Sequence, residues 1–282
     1  MQSKFEEKTY ENYFNTELDR RTQIYFPLGQ VQEGFLGFDS AGFSNNRSLF
    51  RMLGHPFSHF PYFAGAPLSE IEHFMGRIIS ELPIFKVNLL FQYKRPEYIK
   101  LSSGSEWAHW YIPYFRYHIY KEQQQLLMLI HRQFGDRVLS LYAAPAIFDI
   151  NELVQKKIAN QIIESSNFQQ CYMLDGHHRN TYIEAGAHSV ACSEPKRIEK
   201  IDLISLLTQF EDTISKQENN SQFIINFRQD ITNLMYESSY YSKSFKALLD
   251  PFSRYERYPL TYSFLVMHNF KLLTGIQWLI KT

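Results

Sequence analysis

Gln92 and Lys94 are the residues from which this chain's chemistry is most directly read. They close the stretch Asn88-Leu89-Leu90-Phe91-Gln92-Tyr93-Lys94-Arg95-Pro96, an apolar run stopped by a proline. Side chains two apart on a strand project from the same face. An amide oxygen and an ammonium therefore emerge together where the apolar run ends. A second stretch, Gln32-Glu33-Gly34-Phe35-Leu36-Gly37-Phe38-Asp39, runs from a helix-like segment carrying Glu33 through Gly37 into a short strand presenting Asp39. Phosphodiester hydrolysis needs oxygen ligands that hold a divalent cation, and a group that serves the attacking water. Asp39 and Gln92 suit the first task, with the Tyr93 carbonyl beside them. Lys94 suits the second, its charge offsetting negative charge developing on the phosphate. Glu33 would support the ion through water or as a ligand of a second one.

The elements that must position these groups follow from periodicity. Residues 3–24 carry Phe5, Tyr10, Tyr13, Phe14 and Leu18 at helical spacing. A short helical segment holds Val31 to Glu33, and Leu36 to Phe43 reads as the first strand. Ser44-Asn45-Asn46-Arg47 is turn chemistry, with a return through Leu49 to Met52. Residues 53–68 read as an irregular insertion rich in Gly, Pro, His and Phe. Ser69-x-x-Glu72 is a capping-box pattern opening a helix to about Leu82. The organising strand is Phe85 to Lys94. An amphipathic helix is predicted over His118 to Phe134, a strand over Val138 to Tyr142, and a capped helix from Asp149 to about Ser165. Cys171 to Leu174 reads as one more strand. The remainder reads as helical, over Leu203–Ser215, Phe223–Leu249 and Leu260–Ile280. Mixed α/β architecture with a central sheet follows.

Composition narrows the class. Lys plus Arg and Asp plus Glu both total 29 in 282 residues, so no global basic field marks a nucleic-acid binder, and such contact would need a local patch. The two cysteines, Cys171 and Cys192, give no disulfide framework. The first ten residues are polar and charged, so no secretory signal is expected. No run approaches the roughly 20 apolar residues a spanning helix needs. The expectation is a cytoplasmic protein without a membrane segment.

A helix-borne Glu33, then Gly37-Phe38-Asp39, then Gln92-Tyr93-Lys94, then helix and strand, resembles the PD-(D/E)xK nuclease superfamily over roughly residues 27–145. The resemblance implies a restriction-endonuclease-like fold, a mixed central sheet flanked by helices. It implies Mg²⁺ (or Mn²⁺) at Asp39, Gln92 and Tyr93, with Glu33, Asp39, Gln92 and Lys94 as the catalytic set. It implies cleavage of nucleic acid, with DNA the favoured substrate, in restriction or phage defence, and a homodimer or a defence-system partner. Gln92 stands where the superfamily more often has an acid, which removes one charge from the metal site. Residues 1–195 would form the nuclease-like core with an insertion at 44–84, and residues 196–282 a mostly helical region. A non-catalytic nuclease-fold subunit for interaction or nucleic-acid binding is the first alternative.

Other constellations compete. Asp175-Gly176-His177-His178-Arg179 resembles the Asp-Gly-His-His-Arg loop of ParB-like and sulfiredoxin-like proteins, which implies nucleotide binding as a second alternative. Cys171, His177, His178, His188 and Cys192 are zinc-ligand types, although no standard finger spacing is present. Arg116 is a candidate phosphate contact or a packed, carboxylate-paired residue. Lys86, Lys94, Arg95 and Lys100 form a basic cluster in sequence.

Overall fold

The computed structural model of the chain describes residues 1–22, 24–25, 68–209 and 219–282. The expected helix at 31–33, the strand at 36–43, its hairpin return and the insertion at 53–67 lie outside the described residues, and so do Glu33 and Asp39.

Helix α1 (Glu7–Thr22) has an acid in its first turn and Arg20 and Arg21 in its last, the polarity that the helix dipole favours. It runs into strand β1 (Ile24–Tyr25). Helix α2 (Leu68–Glu81) and strand β2 (Val87–Tyr93) come next. Strand β3 (Glu97–Ile99), the short α3 (Trp107–Trp110) and β4 (Tyr114–His118) form an excursion. Helix α4 (Lys121–Phe134) returns the chain to β5 (Val138–Pro145). Helix α5 (Ile150–Ile158), capped by Asp149, whose side chain accepts from the Asn151 amide at 2.9 Å, leads to β6 (Ser166–Gln170). A meander of β7 (Arg179–Tyr182), β8 (Ser189–Cys192) and β9 (Lys196–Ile198) follows. Helices α6 (Leu203–Thr208), α7 (Asn220–Glu237), α8 (Ser242–Leu249) and α9 (Pro259–Thr274) precede β10 (Ile276–Lys281).

Among the described residues these strands make two five-stranded sheets, ordered β1-β10-β2-β5-β6 and β3-β4-β7-β8-β9. In the first, β2 lies parallel to β5 and antiparallel to β10, so both of its hydrogen-bonding edges are taken. Helices cover both faces, which is why all seven residues of β2 are buried. On one face Tyr10, Phe14 and Leu18 of α1 pack against Phe91, Tyr93 and Phe168. On the other, Leu90, Trp278 and Ile280 pack with Leu127, Phe134 and Phe227 of α4 and α7. Each such aromatic contributes about 1.5–3 kcal/mol by leaving water. The Trp278 indole donates to Asn88 Oδ1 at 2.9 Å, so its one polar group is satisfied inside.

Three sequence expectations need correction. Leu260–Ile280 is not one helix: α9 ends at Thr274, Gly275 turns with φ +72, and the chain continues as β10 in the middle of the sheet. A left-handed glycine just past a helix is an ordinary stop signal. Cys171–Leu174 is a 3₁₀ turn, and the strand is the preceding Ser166–Gln170. Glu72 does not close a capping box on its own helix. Its carboxylate accepts from the amides of Leu260 and Thr261 at 2.9 and 2.8 Å, so it caps α9 instead. The expected division near residue 195 falls between β8 and β9, which pair with each other.

Candidate functional site

The C-terminal end of β2 gathers an unusual amount of buried polarity. Gln92 shares a face with Leu90, and Lys94 continues that face just beyond the last strand residue. The Lys94 amide still donates to the Ala143 carbonyl of β5 at 2.9 Å, which fixes its backbone. Its side chain is only 4% exposed. The ammonium lies 4.5 Å from the Tyr120 ring centre and 5.6 Å from that of Tyr142, and donates to Gln123 Oε1 at 3.2 Å. Among the described residues it forms no ion pair.

Burial pushes the Lys94 ammonium down to about 8, and the Glu7 carboxylate only partly restores it. Glu7 sits at the start of α1, half-buried, and accepts from the Arg95 amide at 3.2 Å. Burial raises its pKa, and Lys94 opposes that rise. Burial thus moves both groups toward their neutral forms, and the attraction of each for the other only partly offsets it.

Gln92 is bent back on itself. Its Nε2 donates to the Tyr93 carbonyl at 3.1 Å, and among the described residues its buried Oε1 has no partner. Rotating the amide by half a turn would set Oε1 against that carbonyl, so the orphaned atom is the oxygen. A buried acceptor without a donor costs about 1–3 kcal/mol. The Tyr93 carbonyl already accepts from Gln92. On the opposite face of the same sheet end, Glu11 of α1 pairs with Lys271 of α9 and, at 3.0 Å, with Lys8, while Lys271 also donates to Gln277. These charges are mutually satisfied.

Of the predicted catalytic set, the structure therefore brings Gln92 and Lys94 to one strand end, and Glu33 and Asp39 lie outside the described residues. Sequence reasoning missed Glu7 and Glu11. A signal was present: both continue the stripe of Tyr10, Phe14 and Leu18, and a carboxylate on the core side of an amphipathic helix demands a partner. Position alone does not make such a group functional. Glu17, on the same stripe, accepts from the amides of Ile162 and Ile163 at 2.7 and 3.3 Å and holds a turn together.

The basic cluster read from the sequence does not form. Lys86 lies before β2 begins, about 25 Å from Lys94 at the rise of an extended strand. Arg95 is bound to Glu6 at 3.1 Å and to the Ser3 carbonyl, and Lys100 lies over Tyr98 and Phe148.

The Asp175–Arg179 loop is closed on itself. The amides of His177 and His178 donate to Leu174 and Cys192 carbonyls at 3.1 and 3.3 Å, so they face inward rather than toward a phosphate. Arg179 pairs with Glu106 at 2.6 Å, and Glu106 also takes Arg116 at 3.2 Å and the Tyr114 hydroxyl at 2.9 Å. Arg116 is thus a carboxylate-paired residue, bound to Glu97 as well at 2.6 Å. The zinc-type residues are scattered. The Cys171 thiol lies in the core against the Leu127 carbonyl, pushed up to about 12 by burial, and His188 packs on Trp110. Among the described residues no three His, Cys, Asp or Glu side chains are placed to hold a metal ion, and no helix is long and apolar enough to cross a membrane.

Compared with protein-family models, with curated proteins and with solved structures, the chain matches none of them.

Proposed function

We propose that this chain is a metal-dependent nuclease of the PD-(D/E)xK kind, hydrolysing phosphodiester bonds, with DNA the first substrate to test and restriction or phage defence its setting. The observation that carries the reading is the pair at the end of β2. Among the described residues, an ammonium is buried there without an ion-pair partner, and two residues before it stands a buried amide oxygen without a donor. A mixed sheet with helices on both faces, and a parallel β2–β5 pair with α4 between, is the arrangement such a site needs.

The chain fits an ion in part. Gln92 Oε1 is a free, hard, neutral oxygen of the type Mg²⁺ accepts. Asp39 would supply the charge, Glu33 the supporting carboxylate, and the Tyr93 carbonyl a further oxygen. When bound, the ion would polarise the scissile phosphate. Lys94, partly neutral near pH 8, would orient or deprotonate the water and offset charge on the phosphate. Supercoiled plasmid incubated with Mg²⁺ or Mn²⁺ tests this. Cutting by the wild type, lost in Lys94→Ala and Asp39→Ala, is expected, and equal cutting by all three rejects the assignment.

One observation favours the second reading, a non-catalytic nuclease-fold subunit that binds nucleic acid or a defence partner. The Lys94 ammonium is already seated against Gln123, Tyr120 and Tyr142, as a structural lysine would be. Calorimetric titration separates the two: this reading requires no Mg²⁺ or Mn²⁺ heat and no cutting of DNA or RNA.

A further inference from the structure

Lys94 does not hold its place alone. Gln123, in the first turn of α4, uses both ends of its amide: Oε1 accepts from the Lys94 ammonium at 3.2 Å, and Nε2 donates to the Thr274 carbonyl at 2.7 Å. Thr274 is the last residue of α9, and its hydroxyl donates to the Phe270 carbonyl at 2.7 Å, so the acceptor is itself anchored. Gly275, next in the chain, completes the arrangement. It turns α9 into β10 at φ +72, and a methyl group built on it would stand 3.3 Å from Gln123 Nε2 and 3.9 Å from Gln92 Nε2. The α9–β10 turn therefore lies directly against the two amides of the site.

The orientation of the Gln123 amide follows from these contacts. A lysine ammonium offers only donors and a backbone carbonyl only accepts. Both neighbours thus demand the same orientation of the Gln123 amide, its oxygen toward Lys94 and its NH₂ toward the Thr274 carbonyl. Without the Thr274 carbonyl the NH₂ loses its acceptor, and the oxygen that Lys94 requires is no longer held in place from behind.

We propose that Gln123 is a positioning residue, which fixes the Lys94 ammonium relative to the α9–β10 turn and so places the end of β2 under the control of a chain segment far away in sequence. Its consequence for cleavage rests on the nuclease reading, but the positioning itself does not. A functional ammonium held from one side by a single amide moves when that amide is lost, and misplacement of about 1 Å at a reacting centre costs on the order of 100-fold in rate.

The test is an ¹H–¹⁵N spectrum of the lysine ammonium groups in the full chain, in which only slowly exchanging, hydrogen-bonded ammoniums are seen. The wild type is expected to show one signal that Lys94→Arg removes. Gln123→Met, of similar shape but without the amide, is expected to lose it, and Gln123→Glu, which keeps the acceptor, to retain it. If Gln123→Met does not fold, Gly275→Ala serves in its place, with a displaced signal expected. No Lys94 signal in the wild type, or one unmoved in Gln123→Met or Gly275→Ala, overturns the proposal. In parallel, plasmid cutting by Gln123→Met should fall about 100-fold in kcat with KM little changed. If the spectra behave as expected while the wild type cuts nothing, the positioning stands and the nuclease reading falls.

Discussion

Two of the regions that bury charged side chains do so in opposite ways. Around Glu106, beneath the second sheet, two arginines, a tyrosine hydroxyl and a serine hydroxyl surround one carboxylate. Burial pushes the Glu106 carboxyl up, but hydrogen bonds from Ser105 and Tyr114 and the charges of Arg179 and Arg116 outweigh it and hold it below its ordinary value. At the end of β2 the balance is reversed. Lys94 has an amide, two aromatic rings and a distant carboxylate, and burial wins. A saturated cluster holds a fold together, whereas an unsaturated one stores free energy that a ligand or a reaction can release. The Asp175–Arg179 loop has the suggestive motif, but the charge of its Arg179 is taken by Glu106, although Arg179 Nε and His177 Nδ1 have no partner among the described residues. The plain Gln-x-Lys belongs to the unsaturated kind.

The largest effect expected from this contrast is catalytic. Lys94→Ala should lower metal-dependent plasmid cutting by about 100-fold or more, the scale of losing one preorganised electrostatic group. Activity within a factor of three of the wild type would remove Lys94 from the chemistry.

Next comes stability at the saturated cluster. Glu106→Ala leaves Arg116 and Arg179 without their shared carboxylate, and should cost about 2–4 kcal/mol in urea unfolding. A loss below about 1 kcal/mol would make that cluster as idle as a surface pair and dissolve the distinction.

At the unsaturated end the sign inverts. The folded chain depresses the Lys94 pKa from 10.5 to about 8, so the unfolded state binds more protons between those values. Stability contributed by this group rises with pH from about 8 to 10.5, and below 8 the buried charge costs on the order of 3 kcal/mol. Lys94→Met should therefore raise the melting temperature at pH 7, with the gain fading toward pH 10. A variant less stable than the wild type at pH 7 would show that the cage pays for the ammonium in full.

The smallest effect concerns the loop. With Arg179 committed to Glu106, neither ATP nor CTP should give saturable heat on titration, in the wild type or in Arg179→Ala. Saturable binding that Arg179→Ala abolishes would restore the nucleotide reading.

Much of this was legible in the sequence. The apolar run of β2, the stripe of Leu126, Leu127, Ile130 and Phe134 on α4, and the cap at Asp149 marked three elements, although α4 begins at Lys121 rather than His118 and α5 ends at Ile158 rather than near Ser165. The second sheet was not. Its strands are three to five residues long, too short for alternation to show. Strand β10 was hidden for a different reason: Ile276 to Lys281 is buried throughout, and its two polar residues, Gln277 and Lys281, are too few to tell it from the helix before it. Only Gly275 marked the change. The site divides likewise. Gln92 and Lys94 were visible because two residues on one strand must share a face. Gln123 was not, because its meaning depends on a carbonyl at Thr274 that only the folded chain brings near.

The place of β10 also bears on how the molecule is made. Ile276 pairs with Gln92 across roughly 180 residues of intervening chain. At ribosomal speeds of about 5–20 residues per second, β2 waits on the order of ten seconds or more for its neighbour. Throughout that interval one edge of a strongly apolar strand is bare. Such an edge invites adhesion to other nascent chains, so synthesis of this protein should draw on chaperones that shield extended segments until the β10 segment emerges.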